Sequence, residues 1–287
     1  MSTEGRLAVR KTYKLFIGGA FPRSESGRSY QVQSASGDFL ANAALGSRKD
    51  VRDAVKAARA ATGKWSGATA YNRGQILYRV AEMLEGRRAQ FAAEVADAEG
   101  VDPAFDLVDA AIDRWVWYAG WADKIAQVHG GANPVAGPYF NLSAPEPTGV
   151  VGVVAPARSS LLGLVSVIAP AIVTGNTVVV LASTERPLPA VTLSEVLATS
   201  DLPGGVVNIL TGAVAEMAPW LAAHMDVNAI DLTGVTDPTL AKALEAAAAE
   251  NLKRVIRPSD PDWGADPGVT RMLSLLEVKT VWHPKGV

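Results

Sequence analysis

The residue types that most often carry thiol or metal chemistry, cysteine and histidine, are absent or sparse in this sequence. Cysteine is absent, so there can be no thiolate nucleophile, disulfide framework, thiolate zinc site or iron–sulfur ligation. The three histidines, His129, His224 and His283, lie far apart and form no HExxH or HxH pattern, so no metal site is expected. Ser159 and Ser160, beside Arg158, come nearest to a nucleophile with an oxyanion donor. No histidine or carboxylate is placed by the sequence to activate either serine, and there is no GxSxG elbow. The glycine patterns GxGxxG and GxxxxGK[ST] are also missing. No catalytic residue is assigned.

Composition narrows the partners. Hydrophobic residues make up 48% of the 287, and the net charge is -2. That balance offers no global attraction to nucleic acid or to an anionic membrane. The basic pairs Arg48-Lys49 and Arg87-Arg88 read as solvated helix faces or ends. The most apolar stretch, Val150 to Val173, is interrupted by Pro156, Arg158, Ser159, Ser160 and Pro170, so it is no spanning helix. The N-terminal Met1-Ser-Thr-Glu-Gly-Arg6 lacks the apolar core of a secretory signal, and a cytoplasmic location is expected.

The elements that would position any site follow from periodicity. Lys14 to Pro22 predicts a strand entering a turn. A helix opens at Ser47, with Ser47 or Asp50 as cap. A second helix is predicted over about 72–98 and a third over about 103–128. The tryptophan-rich run Trp115 to Trp121 could be mistaken for a ligand-stacking platform, but at helical spacing it reads as core. Residues 129–147, rich in glycine and proline, predict an extended arm with a short strand at Tyr139 to Leu142. Beyond it strands at 149–154, 176–181, 206–210 and 229–232 alternate with helices at 161–174, 188–199, 215–224 and 237–251. Short, wholly apolar strands alternating with helices predict an α/β fold: a Rossmann-like parallel sheet covered by helices on both faces. The tail begins near Ile256 with a proline- and aspartate-rich linker. Leu276 to His283 then alternates as a half-exposed strand, with Leu276, Val278, Thr280 and Trp282 on one face. Such a strand needs a sheet to join, and the arm at Tyr139 to Leu142 is the nearest candidate.

Five stretches, in consistent order, resemble the aldehyde dehydrogenase superfamily. They are Gln75-Ile-Leu-Tyr-Arg-Val-Ala-Glu-Met-Leu-Glu85, Pro145-Glu-Pro-Thr-Gly-Val-Val-Gly152, Ile168-Ala-Pro-Ala-Ile-Val-Thr-Gly-Asn-Thr-Val-Val179, Leu202-Pro-Gly-Gly-Val-Val-Asn-Ile-Leu-Thr-Gly212 and Asp231-Leu-Thr-Gly234. They match the family's N-terminal and coenzyme-binding portions, over about Lys14 to Asn251. Leu276-Glu-Val-Lys-Thr-Val281 resembles the family's C-terminal oligomerisation strand. In the family a catalytic domain, bearing the cysteine and a glutamate base, separates these regions. The resemblance therefore implies a coenzyme-binding domain at 1–128 with 148–256, and an oligomerisation arm at 129–147 with 270–287. A linker at 257–269 replaces the catalytic domain. Because the gap is internal and the strand after it is kept, a purposely retained subunit is favoured over a chance fragment.

The same resemblance implies a degraded coenzyme pocket. The family's Pro-Trp-Asn-Phe-Pro, whose asparagine donates to the oxyanion, falls on Pro156-Ala-Arg-Ser-Ser160, with Arg158 at the asparagine. Its Lys-Pro-x-Glu, which holds the adenosine ribose, falls on Leu181-Ala-Ser-Thr184, and Glu185 is one residue out of register. Its Phe-Thr-Gly-Ser, whose serine helps hold pyrophosphate, falls on Leu232-Thr-Gly-Val235. No NAD or NADP site is expected. Pro156, Arg158, Thr184, Gly212, Thr233 and Gly234 would line a vestigial pocket, in which a helix N-terminus could still attract an anion weakly. The function implied is a non-catalytic subunit that associates with a full-length aldehyde dehydrogenase or with itself. Tyr139, Phe140, Leu142, Leu276, Val278, Thr280 and Trp282 are its expected contacts. An NAD(P)-binding sensor, a residual oxidoreductase and an enzyme using Ser159 or Ser160 remain open alternatives.

Overall fold

The computed structural model describes residues 11–286. A small sheet comes first, in the order β1-β3-β2: β1 (Thr12–Tyr13), β2 (Ser29–Gln33) and β3 (Phe39–Ala44). Helices α1 (Arg48–Ser66), α2 (Ala70–Glu85), α3 (Arg88–Glu99), α4 (Phe105–Trp121) and α5 (Ile125–His129) follow. Strands β4 (Gly131–Asn133) and β5 (Tyr139–Pro147) build an arm. Then come β6 (Val150–Val154), α6 (Leu162–Val173), β7 (Thr177–Leu181), α7 (Leu188–Ala198) and β8 (Val207–Leu210). They are followed by α8 (Val214–Ala223), β9 (Ala229–Asp231), α9 (Pro238–Ala249) and β10 (Arg254–Ile256). The short α10 (Thr270–Ser274) leads into β11 (Leu276–Pro284).

The main sheet is parallel throughout, in the order β10-β9-β6-β7-β8. Its strands are apolar on both faces because both faces are covered. Val178 and Val180 enter the core shared with α2, α4, α6 and α7, whereas Val179 and Leu181 enter the one shared with α1, α8 and α9. Every residue of α6 is buried, which is why that helix carries no polar stripe. At Gly152 a Cβ would stand 2.9 Å from Leu221 Cγ, so glycine lets α8 approach β6. Of the tryptophan-rich stretch, Trp115 and Tyr118 are buried, while Trp117 and Trp121 pack against that core from its rim. It is core and not a stacking platform.

Local signals place several ends correctly. The Asp50 carboxylate accepts from both the amide and the hydroxyl of Ser47 at 2.8 Å, which makes Ser47 the cap of α1. Asp237 caps α9, accepting from the Thr239 amide at 2.8 Å.

Other expectations are corrected. The helix predicted over 72–98 is two, because the chain turns at Gly86-Arg87 between α2 and α3. That predicted over 103–128 breaks at residues 122–124, so that α5 can lead into the arm. Lys14 to Pro22 is no regular strand: Phe16 bridges Ile209 and Ile17 bridges Ala20 around the turn at Gly18-Gly19. The main sheet has a fifth strand, β10, where only a tail was expected.

The strand at 276–284 finds its sheet in β5, paired antiparallel from Leu276 opposite Pro147 to Pro284 opposite Tyr139. It is not half-buried. Only Leu276 is covered, while Val278 is 66%, Trp282 58% and Val281 47% exposed.

Candidate functional site

In an open parallel sheet the carboxyl ends of the strands are where ligands bind. Here those ends open onto a cleft of about 350 Å³, lined by Pro156, Arg158, Thr233, Gly234, Val235, residues 258–260 and Trp263. The structure thus brings together Pro156, Arg158, Thr233 and Gly234 of the expected pocket. Thr184 and Gly212 lie elsewhere. The Thr184 hydroxyl donates to the Gly212 carbonyl at 2.9 Å and accepts from the Val214 amide at 3.2 Å, which ties β7 to the start of α8. A larger groove, about 910 Å³, runs along α2 and α4. It contains none of the expected site residues, and four of its charges are paired, Arg79 with Glu82 and Asp123 with Lys124.

The connection from β10 to β11 occupies only residues 257–275, and it folds back onto the sheet. Arg114 of α4 donates to the carbonyls of Trp263 at 2.7 Å and Ala265 at 3.0 Å, and to the Ser166 hydroxyl at 2.9 Å. Burial lowers its guanidinium below the ordinary range. The Trp263 ring rests on Gly163, where a Cβ would lie 3.2 Å from the indole. Arg271, from α10, pairs with the fully buried Asp231 at the end of β9. The region expected to be a linker is therefore a fitted cover.

The serines are spoken for. Contrary to the sequence reading, a carboxylate does meet one of them. Glu99 Oε1 accepts the Ser160 hydroxyl at 2.6 Å and the Ser160 amide at 2.7 Å. Ser160 is buried, however, and Glu99 sits over the start of α6, where a negative charge stabilises the helix dipole. Ser159 Oγ accepts from the Gly163 amide at 2.8 Å. Both serines act as helix-start ligands. Arg158 points outward, its side chain 85% exposed and 3.4 Å from Asp260.

The positions that match the family's coenzyme contacts are altered. Leu181 is buried in the core and offers no ribose contact. Val235, at the position of the family's pyrophosphate-binding serine, is buried in the same core. The amides of the turn that follows β9 are also taken. Thr233 N–H donates to Asp231 at 2.9 Å, Gly234 N–H to the Val154 carbonyl at 3.0 Å, and Val235 N–H to the Leu232 carbonyl at 2.8 Å. Gly234 packs so tightly that a Cβ would lie 2.1 Å from the Ala155 carbonyl oxygen. Among the described residues no three of His, Asp and Glu gather as metal ligands, and no helix is long and apolar enough to cross a membrane.

The arm divides its expected contacts between two faces. Directly opposed residues share a face, so Tyr139, Val278, Thr280 and Trp282 lie on one side, and Phe140, Leu142 and Val281 on the other. Val281 was missed because it sits among Glu277, Lys279 and His283. Leu276 fills the chain's own core. Thr280 shares a 2.8 Å hydrogen bond with Ser143, which also accepts from Asn133. The base of the arm is held by the Asn176 amide on the Leu275 carbonyl at 2.9 Å and by two 2.6 Å bonds from Arg254 to Glu277. Those bonds hold the Glu277 carboxyl below its usual range.

A parallel sheet clothed in helices, with a cleft across its carboxyl ends, defines a Rossmann-like α/β protein. Residues 21–257 match the aldehyde dehydrogenase family, and the chain belongs to that family. Human retinal dehydrogenase 2 is 36% identical over 254 residues, covering 85% of this chain and 48% of the human protein. The mitochondrial aldehyde dehydrogenase family 2 member B4 of Arabidopsis thaliana is 35% identical over 249 residues, 84% of this chain and 45% of its own length. The NAD+ complex of a Bacillus cereus aldehyde dehydrogenase superposes with a TM-score of 0.81 at 29% identity, covering 85% of this chain and 50% of that one. The chain thus spans about half the length of these relatives. It holds the Rossmann-like half, and no catalytic domain stands between β10 and β11.

Proposed function

We propose that this chain is a non-catalytic aldehyde dehydrogenase-like subunit. It assembles through the β5–β11 arm with a full-length aldehyde dehydrogenase or with a second copy of itself. One observation carries this reading: residues 257–275 stand where a catalytic domain would, while a nine-residue edge strand follows them, exposed beyond Leu276 and presenting Val278, Val281 and Trp282 to solvent. An unpaired strand edge of that length is a template for pairing with another chain. The cysteine-free composition and the occupied donors around the cleft support the absence of dehydrogenase chemistry.

The test is co-expression with a full-length aldehyde dehydrogenase, followed by native mass measurement, beside the chain alone. Val278→Asp combined with Trp282→Asp should abolish the assembly. Both side chains are exposed, so far-UV circular dichroism should stay unchanged. A monomer that never joins another chain, or a pure chain that reduces NAD with an aldehyde, refutes the proposal.

A further inference from the structure

Two hydrogen bonds fix which way the main chain of β11 points. The Thr148 amide donates to the Leu275 carbonyl at 3.3 Å, and the Lys285 amide donates to the Pro138 carbonyl at 2.7 Å. Both fit the unshifted register of β5 and β11, and in an antiparallel pair the residues bonded to a given neighbour alternate. Odd-numbered residues of β11 therefore turn their N–H and C=O groups to β5. Val278, Thr280 and Trp282 turn theirs outward, and β11 is the outermost strand of its sheet. The devices that usually blunt such an edge are lysine and proline. Here Lys279 is paired with Glu146 of β5 at 3.0 Å, and Pro284 stands at the very end of the strand. The stretch between them is open, with Val278 and Trp282 exposed on one face and Val281 on the other.

That strand is complementary to its own antiparallel copy. Opposed residues in such a pair share a face, so a two-fold axis normal to the sheet must pass through one residue. With the axis at Thr280, Val278 meets Trp282, Glu277 meets His283 and Thr280 meets itself. Every outward N–H and C=O of Val278, Thr280 and Trp282 then has a partner. A step of one residue either way is worse. An axis at Lys279 sets like charges against each other, and it brings Leu276, held in its own core, against Trp282. An axis at Val281 sets Val278 against Pro284, which has no N–H to give.

We propose that the chain pairs with a second copy of itself, β11 against β11 about a two-fold axis at Thr280, so that two three-stranded arms join into one continuous sheet. This pairing rests on the reading of the arm as an assembly surface, and it gives that surface one partner and one register. The contact is isologous and closes on itself, which makes a dimer and not a fibre.

The absence of cysteine lets a single introduced thiol report the register without background. Thr280→Cys, Lys279→Cys and Val281→Cys are each oxidised with diamide in the full-length chain, and native mass is read for wild type and Thr280→Pro across a dilution series. Wild type should run at twice the mass of one chain. Opposed residues of a hydrogen-bonded pair lie about 5.5 Å apart at Cα, within the span of a disulfide, so Thr280→Cys should give a reducible covalent dimer. The copies of residue 279, and those of 281, would lie diagonally at about 7–8 Å. Those two variants should cross-link at least about tenfold more slowly. Thr280→Pro costs no bond to β5, because the Thr280 amide points away from it, and an edge strand tolerates proline there. It should keep its far-UV circular dichroism and weaken the dimer about ten- to a hundredfold, the worth of the two bonds at the axis. If Thr280→Pro does not fold, the cysteine series decides. A dimer that survives Thr280→Pro unchanged overturns the proposal, as do Lys279→Cys and Val281→Cys that cross-link as fast as Thr280→Cys. A chain that stays monomeric alone yet joins a full-length aldehyde dehydrogenase overturns self-pairing and leaves the arm's assembly role standing; a chain that does neither removes both.

Discussion

Arg271→Ala should destabilise the chain more than Asp231→Ala does, although the two residues form one ion pair. The asymmetry comes from exposure: the arginine side chain is 16% exposed and the aspartate 1%. Without Arg271 a carboxylate is left in the interior with no cation. Breaking a buried pair from that side costs about 3–5 kcal/mol. Thr233 still donates two hydrogen bonds to the carboxylate, which places the expectation near the low end, at about 3 kcal/mol. Without Asp231 the guanidinium can turn towards solvent, and about 1–2 kcal/mol is expected. The double variant should match Asp231→Ala, because the stranded charge is gone in both. Urea unfolding followed by far-UV circular dichroism measures these values. At roughly 2–4 °C per kcal/mol, Arg271→Ala should melt about 6–12 °C below wild type. All variants must be compared at one protein concentration, since assembly makes the midpoint concentration-dependent. An Arg271→Ala cost below about 1 kcal/mol, or one smaller than that of Asp231→Ala, would refute the reasoning from burial.

Glu94 makes a pH prediction. Its Oε1 accepts from Tyr13, Thr192 and Gln90, yet its Oε2 is buried without a partner. Burial outweighs those donors and raises the carboxyl above the usual carboxylate range. A raised folded value means that the native state binds the proton more tightly. Stability should therefore fall as pH climbs from about 4.3, the ordinary glutamate value, through the raised one. Glu94→Gln should abolish that loss, so its advantage over wild type should grow with pH; a constant difference across urea midpoints contradicts this. Two buried tryptophans supply a matched pair. Trp65 Nε1 donates to the Ile172 carbonyl at 2.8 Å, whereas Trp115 Nε1 is buried with no partner. Each Trp→Phe change removes similar volume, but only Trp65→Phe loses a hydrogen bond, and Trp115→Phe relieves a stranded donor. Trp65→Phe should cost about 1.5–4 kcal/mol more, and equal costs would overturn the assignment.

The sequence by itself determined what depends on residue type and local order. A chain without cysteine has no thiol chemistry in any fold. Short apolar runs such as Val178 to Leu181, bounded by turn signals and alternating with helices, marked strands buried on both faces. Ser47 with Asp50, and Asp237 before Pro238, marked helix starts because a cap is a contact between near neighbours in the chain. The motifs from Gln75 to Gly234 identified the family for the same reason, being short ordered strings.

What only the tertiary structure decided involves residues distant in sequence. The breaks near Gly86 and Ala122 were hidden because the apolar stripe continues through them, and the turns are set by what the helices dock against. Three residues of β10 are too few to show a period. Glu99 meets Ser160 across 61 residues and Arg271 meets Asp231 across 40, so no local pattern could announce either pair. That segment 257–275 is a fitted cover and not a loose linker follows from where Arg114, Gly163 and Asp231 stand once the sheet has formed. Side-chain partners at such separations are chosen by packing, and packing exists only in the folded chain.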